Sequence, residues 1–120
     1  MSKIRLLLVD DHEIVRAGLR MLFSAEPTVE IIGEAASGEA AVAAVEDLEP
    51  DVVLMDVAMP GIGGVEATRR IKASHPQVAV LALTMHEDEE YFFEMLAAGA
   101  SGYVPKRAAP DDLMSAINIV

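Results

Sequence analysis

Asp10 and Asp11 close the first apolar run, LLLVDD, and Asp56 closes the third, VVLMD. If these runs are neighbouring strands, three carboxylates emerge at one edge of a sheet, a donor set suited to a hard divalent cation and to phosphoryl chemistry on an aspartate. Thr84, Tyr103 and Lys106 stand at the ends of later apolar runs and bear on the same site.

The elements that would carry these residues are legible as an alternation of two periods. Apolar runs occur at 4–9, 29–35, 51–56, 78–83 and 101–104, and between and after them the segments around 13–24, 38–47, 64–73, 88–98 and 111–118 repeat apolar residues at helical spacing, as in Leu19, Leu22 and Phe23. Continuous apolar strands alternating with amphipathic helices predict an α/β fold with a parallel sheet covered on both faces. The expectation is five βα units, with right-handed crossovers placing helices on alternate faces. Punctuation agrees: Gly99 follows LAA and suits a left-handed helix end, Pro50 precedes a strand, and Pro76 separates the third helix from the fourth strand.

Composition narrows what such a site could serve. A chain of 120 residues supports one domain, read here as spanning 1–120, with little room for a separate substrate domain. Nine Lys and Arg against twenty Asp and Glu give a formal net charge of -11, which repels nucleic acid and anionic membrane. The absence of cysteine removes disulfide and thiol chemistry and, with no secretory or membrane-spanning pattern at the start, suits a cytoplasmic setting.

In open α/β sheets, functional groups gather at the carboxyl ends of the strands beside the point where strand order reverses. Three carboxylates there repel one another, and a bound Mg²⁺, with Mn²⁺ as the alternative, offsets that repulsion. The residues assign Asp11 and Asp56 as direct ligands, Asp10 as a ligand directly or through water, and the Ala58 carbonyl as a further oxygen. The free oxygen of Asp56 can attack phosphorus to form an acyl phosphate. Lys106 can pair with a phosphoryl oxygen, and Thr84 can donate a hydroxyl hydrogen bond to another. Taken singly each has a plainer reading: Asp10 and Asp11 as turn residues, Thr84 as a helix cap, Lys106 as a solvated lysine. Their shared address at the strand ends favours the joint one.

The chain resembles the receiver domain of bacterial two-component response regulators over essentially all of 1–118. The matching pieces are LLLVDDHEIVRAGL at 6–19, VVLMDVAMPGIGG at 52–64, ALTMH at 82–86 and GYVPK at 102–106. DDHEIVRAGL, ALTMH and AAGASGYVPK are most similar to the NarL/FixJ group, whose members carry a C-terminal LuxR-type DNA-binding domain. The resemblance implies a flavodoxin-like (βα)5 three-layer sandwich with strand order 2-1-3-4-5. It also implies metal ligands at Asp10 and Asp11, phosphoryl acceptance at Asp56, a switching hydroxyl at Thr84, a phosphate-pairing Lys106 and a switching aromatic at Tyr103. In that switch Thr84 moves toward the phosphorylated Asp56 and Tyr103 turns inward behind it; the plainer reading of Tyr103 is a half-buried strand aromatic.

Two departures stand out. Such receivers commonly read MP-x-M/L-D-G after the acceptor, whereas this chain has MPGIGG at 59–64, so Gly63 replaces an acidic or small polar residue and removes a side-chain cap for the third helix. Pro105 stands before Lys106 where an aliphatic residue is usual, and Arg107 follows where many receivers have proline, leaving the isomer of the 106–107 bond open. Ala58 and His86, two positions beyond Asp56 and Thr84, are placed to influence water attack on an acyl phosphate, and Met85 to limit access or simply to pack.

The implied partners are a sensor histidine kinase or phosphotransfer domain, a second copy of the chain on phosphorylation, and DNA only through a C-terminal domain outside 1–120. No organic cofactor is called for. Two alternatives compete. A small aspartate-nucleophile phosphatase would need an acid/base carboxylate after the nucleophile, which the loop DVAMPG does not offer. A receiver-like interaction module working without phosphorylation would not need the ligand set that the chain retains.

Overall fold

The computed structural model describes residues 3–57, 59, 61–84, 90–105 and 110–119, with side chains excepted at 84, 90–92, 105, 110–112 and 119. Among the described residues ten elements alternate: β1 (Ile4–Val9), α1 (Glu13–Ser24), β2 (Val29–Ala35), α2 (Gly38–Leu48), β3 (Val52–Asp56), α3 (Gly63–Ser74), β4 (Ala79–Thr84), α4 (Glu90–Ala98), β5 (Gly102–Pro105) and α5 (Pro110–Ile119). All strand pairings are parallel, in the order β2-β1-β3-β4-β5.

Side chains of a strand point alternately to its two faces, so a strand buried on both sides must be apolar throughout. Leu6 and Leu8 of β1 join Val52 and Leu54 of β3 and Leu81 and Leu83 of β4 on one face, where Phe23 of α1 and Leu113 and Ile117 of α5 cover them. Leu7 and Val9 join Val53, Met55, Val80 and Ala82 on the other, under Ala41 and Val45 of α2, Ala67 and Ile71 of α3, and Met95 of α4. Each fully buried aliphatic side chain contributes roughly 1.5–3 kcal/mol.

The helices are not placed on strictly alternate faces, which corrects the expectation from sequence. α1 and α5 share one face, while α2, α3 and α4 share the other. The cause is the direction in which the chain crosses the sheet. A right-handed crossover puts its helix on a face set by the sense of strand progression. From β1 the chain steps outward to β2, then passes back over β1 to β3 and continues through β4 to β5. Three successive crossovers in one sense place three helices together. The single reversal falls between β1 and β3, beside the acidic residues.

Gly63 opens α3 with φ +77°, and a Cβ built there would meet nothing within 4 Å. α3 has no side-chain cap hydrogen bond, as its sequence implied, and the glycine serves the left-handed backbone that this start requires. Gly63→Ala is expected to cost about 1 kcal/mol, all of it conformational, and Gly63→Asn distinctly less, because asparagine tolerates the left-handed region. Urea denaturation of the two variants checks this; equal costs would contradict it. Pro105 is paired with Thr84 on β5, an edge strand, where a missing amide donor is tolerated. Gly99, at φ +108°, ends α4 as the sequence predicted.

Candidate metal and phosphoacceptor site

Asp56 is the last residue of β3 and Asp10 follows the last residue of β1, so the pairing of Val9 with Met55 brings the two chain ends level. Both carboxylates are buried, Asp10 at 1% and Asp56 at 2% exposure, while Asp11 is partly exposed. Ligand atoms from Asp10, Asp11, His12 and Asp56 all lie within 4.8 Å of one another. The oxygens Asp10 Oδ2, Asp11 Oδ1 and Asp56 Oδ2 are closed off from solvent. Oxygen donors of like charge, gathered away from water, fit a hard divalent cation such as Mg²⁺.

Local hydrogen bonds explain how β1 delivers this geometry. The Asp10 amide continues the sheet by donating to the Ala35 carbonyl at 3.1 Å. Its Oδ1 accepts from the His12 amide at 2.8 Å, an Asx turn that directs the chain into α1. The carbonyl of His12 then accepts from the amides of Val15 and Arg16, starting the helix. The N-terminus of α1 therefore faces the carboxylates, and its partial positive charge favours them. Beyond β3, the Val57 amide donates to Leu83 and the Gly64 amide to the Val57 carbonyl, which ties the loop after Asp56 to β4 and to α3.

His12 was missed as a member of this cluster. Its Nδ1 lies 3.2 Å from Asp10 Oδ1 and 3.1 Å from Asp11 Oδ1, with the side chain 65% exposed. The contiguous Asp-Asp-His was visible, but only the turn shows that the imidazole folds back over both acids. An imidazole is a poor partner for Mg²⁺ compared with oxygen, so the carboxylates are the natural ligands and His12 a rim residue.

The remaining predicted residues are brought to the same side of the sheet to differing degrees. Asp56 pairs with Leu83, which places Thr84 one residue further along β4 at its carboxyl end. Tyr103, paired with Ala82, is partly buried and packs against the α2–α4 core. Ala58, Met85, His86, Lys106 and Arg107 lie outside the described residues, as does the 106–107 bond.

Around the cluster runs an ionic network. Arg16 and Arg20 of α1 both engage Glu34 of β2 and Glu13 of α1. Hydrogen bonding from Arg20, with the charge of Arg16, holds the Glu13 carboxyl below its usual range, and hydrogen bonding to Glu34 raises Arg20. On α3, Glu66 is lowered by hydrogen bonds from Arg70 and Arg69.

Residues 6–118 match the response regulator receiver domain family. The chain is 44% identical over 117 residues to the response regulator GacA of Pseudomonas viridiflava, covering 98% of this chain and 55% of that protein. It is 47% identical over 117 residues to the response regulator UvrY of Escherichia coli K12, covering 98% and 54% respectively. It thus spans about half the length of these relatives. Among solved structures, a LuxR-family two-component response regulator from Aurantimonas sp. SI85-9A1 superposes with a TM-score of 0.92 at 41% identity, covering 98% of this chain and 84% of that one. The receiver domain of RcsB from Salmonella enterica serovar Typhimurium, solved with the phosphomimetic BeF3-, superposes with a TM-score of 0.87 at 28% identity, covering 98% and 87%. The acidic cluster is typical of receivers that coordinate Mg²⁺ for phosphotransfer. The chain belongs to the response regulator receiver domain family, the phosphorylation-dependent signalling modules of bacterial two-component systems.

Proposed function

We propose that Asp56 is the phosphoacceptor of this receiver and that Asp10, Asp11, Asp56 and the Ala58 carbonyl hold the divalent cation. The observation that carries this reading is the gathering of Asp10, Asp11 and Asp56 at the single reversal of strand order, with two of the three carboxylates buried. When bound, Mg²⁺ or Mn²⁺ offsets the negative charge of the transferring phosphoryl group. An oxygen of Asp56 attacks the phosphorus of a phosphohistidine, the new O–P bond forms as the P–N bond breaks, and the electron pair leaves on the imidazole nitrogen. Lys106 pairs with a phosphoryl oxygen and Thr84 donates to another. Tyr103 responds to movement of Thr84, remodelling the surface of α4, β5 and α5.

The donor is a sensor histidine kinase or phosphotransfer domain. Because the chain covers only about half of relatives such as GacA and UvrY, the whole protein's transcriptional output and DNA contact, through a C-terminal LuxR-type domain, belong to this proposal, as does dimerisation on phosphorylation. A cytoplasmic setting is part of it too; among the described residues no helix is long and apolar enough to cross a membrane.

Intact mass after incubation with acetyl phosphate tests the reading. With Mg²⁺ a labile gain of about 80 Da, one phosphoryl group, is expected, and with EDTA none. Equal labelling with and without EDTA would remove the cation from the mechanism.

A further inference from the structure

Beside the acidic cluster stands a residue whose contacts exceed those of a surface ion pair. Arg16 uses each guanidinium nitrogen on a different part of the chain. Its Nε lies 3.0 Å from Glu34 Oε1 on β2, one terminal nitrogen donates to the backbone carbonyl of Asp10 at 2.5 Å, and the other pairs with Glu13 of α1. The side chain is only 13% exposed. Arg20 provides an internal comparison, since it engages the same Glu34 and Glu13 and is 41% exposed, its hydrogen bonds running to those two carboxylates.

We infer that Arg16 is a positioning residue for the acidic cluster: it holds the Asp10 carbonyl, and through it the Asp10–Asp11 peptide, in the orientation that divalent-cation binding requires. The inference rests on the reading of that cluster as the cation site. The Asp10 amide is held by Ala35 of β2, and the Asp10 carbonyl is held by Arg16, which is itself anchored on Glu34, the residue before Ala35. Asp10 is thus held at its amide directly by β2 and at its carbonyl by Arg16 of α1, which β2 anchors through Glu34. Because a peptide unit is planar, fixing the carbonyl of Asp10 also fixes the direction in which the chain enters Asp11. Without that restraint, mutual repulsion among Asp10, Asp11 and Asp56 is free to rotate the peptide and spread the carboxylates. The fork of the guanidinium suits this task because one planar group meets three acceptors.

Two effects of removing Arg16 have opposite signs. Deleting a positive charge near the cluster makes its field more favourable to a cation, whereas loss of positioning weakens binding. Titration with MgCl2 alone, followed by backbone amide chemical shifts, separates them. Arg16→Met, which keeps an apolar stem, is expected to lower Mg²⁺ affinity about tenfold, the usual scale for groups that orient metal ligands. Arg16→Lys, with charge but no fork, is expected to lower it about threefold, and Arg20→Met to stay within about twofold of wild type. Amide hydrogen exchange in metal-free buffer is expected to quicken at Asp10–His12 in both Arg16 variants and not in Arg20→Met.

Wild-type or tighter affinity in Arg16→Met overturns the inference, as does an equal loss in Arg20→Met. If Arg16→Met does not fold, as judged by circular dichroism, Arg16→Lys decides: wild-type affinity and exchange in that variant overturn the inference equally. A wild-type protein that shows no Mg²⁺-dependent shifts refutes the cation-site reading itself, and this inference with it, an outcome distinct from a difference among variants.

Discussion

Asp56→Asn is expected to take up no labile phosphoryl group from acetyl phosphate and Mg²⁺, a loss of at least about 100-fold in labelled fraction by intact mass. Asparagine keeps the shape of the side chain, which matters at a position only 2% exposed, but its amide has no nucleophilic carboxylate oxygen to form an acyl phosphate. The variant should remain folded. Removing one of three carboxylates packed together relieves like-charge repulsion, so in EDTA Asp56→Asn is expected to be more stable than wild type by about 1 kcal/mol or more. The two readouts support each other, because a dead but stabilised protein locates the loss in chemistry rather than in folding. Undiminished labelling of Asp56→Asn would show that a different carboxylate accepts the phosphoryl group; a variant less stable than wild type would mean that Asp56 makes a net stabilising contribution to the metal-free fold.

Gly64→Ala is expected to destabilise the protein by about 3 kcal/mol, measured by urea denaturation. Helix propensity alone argues the opposite, since alanine in place of glycine in a helix interior usually gains about 0.5–1 kcal/mol. Sterics decide here. A Cβ at Gly64 would stand 2.3 Å from the Asp56 carbonyl oxygen, 2.8 Å from the Val57 Cα and 3.0 Å from the Val57 carbonyl oxygen, all of them backbone atoms that cannot swing aside. The start of α3 must then retreat from the end of β3 and draw the loop after Asp56 with it. A fall in Mg²⁺-dependent labelling of the folded fraction should accompany the loss of stability. Gly18→Ala is the control: Gly18 lies within α1 and an added Cβ there meets nothing within 4 Å, so this variant should be slightly more stable than wild type. If Gly64→Ala also proves stabilising, the contact between α3 and β3 is looser than these distances imply.

The division between what was legible early and what was not follows the range of the interactions. Element positions came through well. The run IRLLLV is β1 at Ile4–Val9, and the helical spacing around Leu19, Leu22 and Phe23 is α1 at Glu13–Ser24, because burial on one or two faces imposes a local period that sequence displays directly. Strand order and family membership rested on the acidic strand ends and on DDHEIVRAGL and GYVPK, and the topology and the family match agree with both. Asp10, Asp11 and Asp56 were recognisable by residue type and address, since a parallel sheet presents its carboxyl ends along one edge.

Other features depended on how distant segments meet. The allocation of α2, α3 and α4 to one face follows from the path of the chain across the sheet, which a list of elements does not specify. Gly63 marks a missing cap in the sequence, and only the fold shows its positive φ; Gly64 begins the helical segment predicted at 64–73, and only the fold sets Asp56 and Val57 against it. Arg16 and Glu34 are eighteen residues apart in sequence, and only packing of α1 beside β2 joins them behind Asp10. Sequence by itself determined the pattern of burial and the supply of carboxylates at one edge, because both are set by local periodicity and residue chemistry. Tertiary structure alone decided the distances, the faces and the clamp on Asp10, because side-chain and backbone contacts between remote segments exist only once the whole chain has packed.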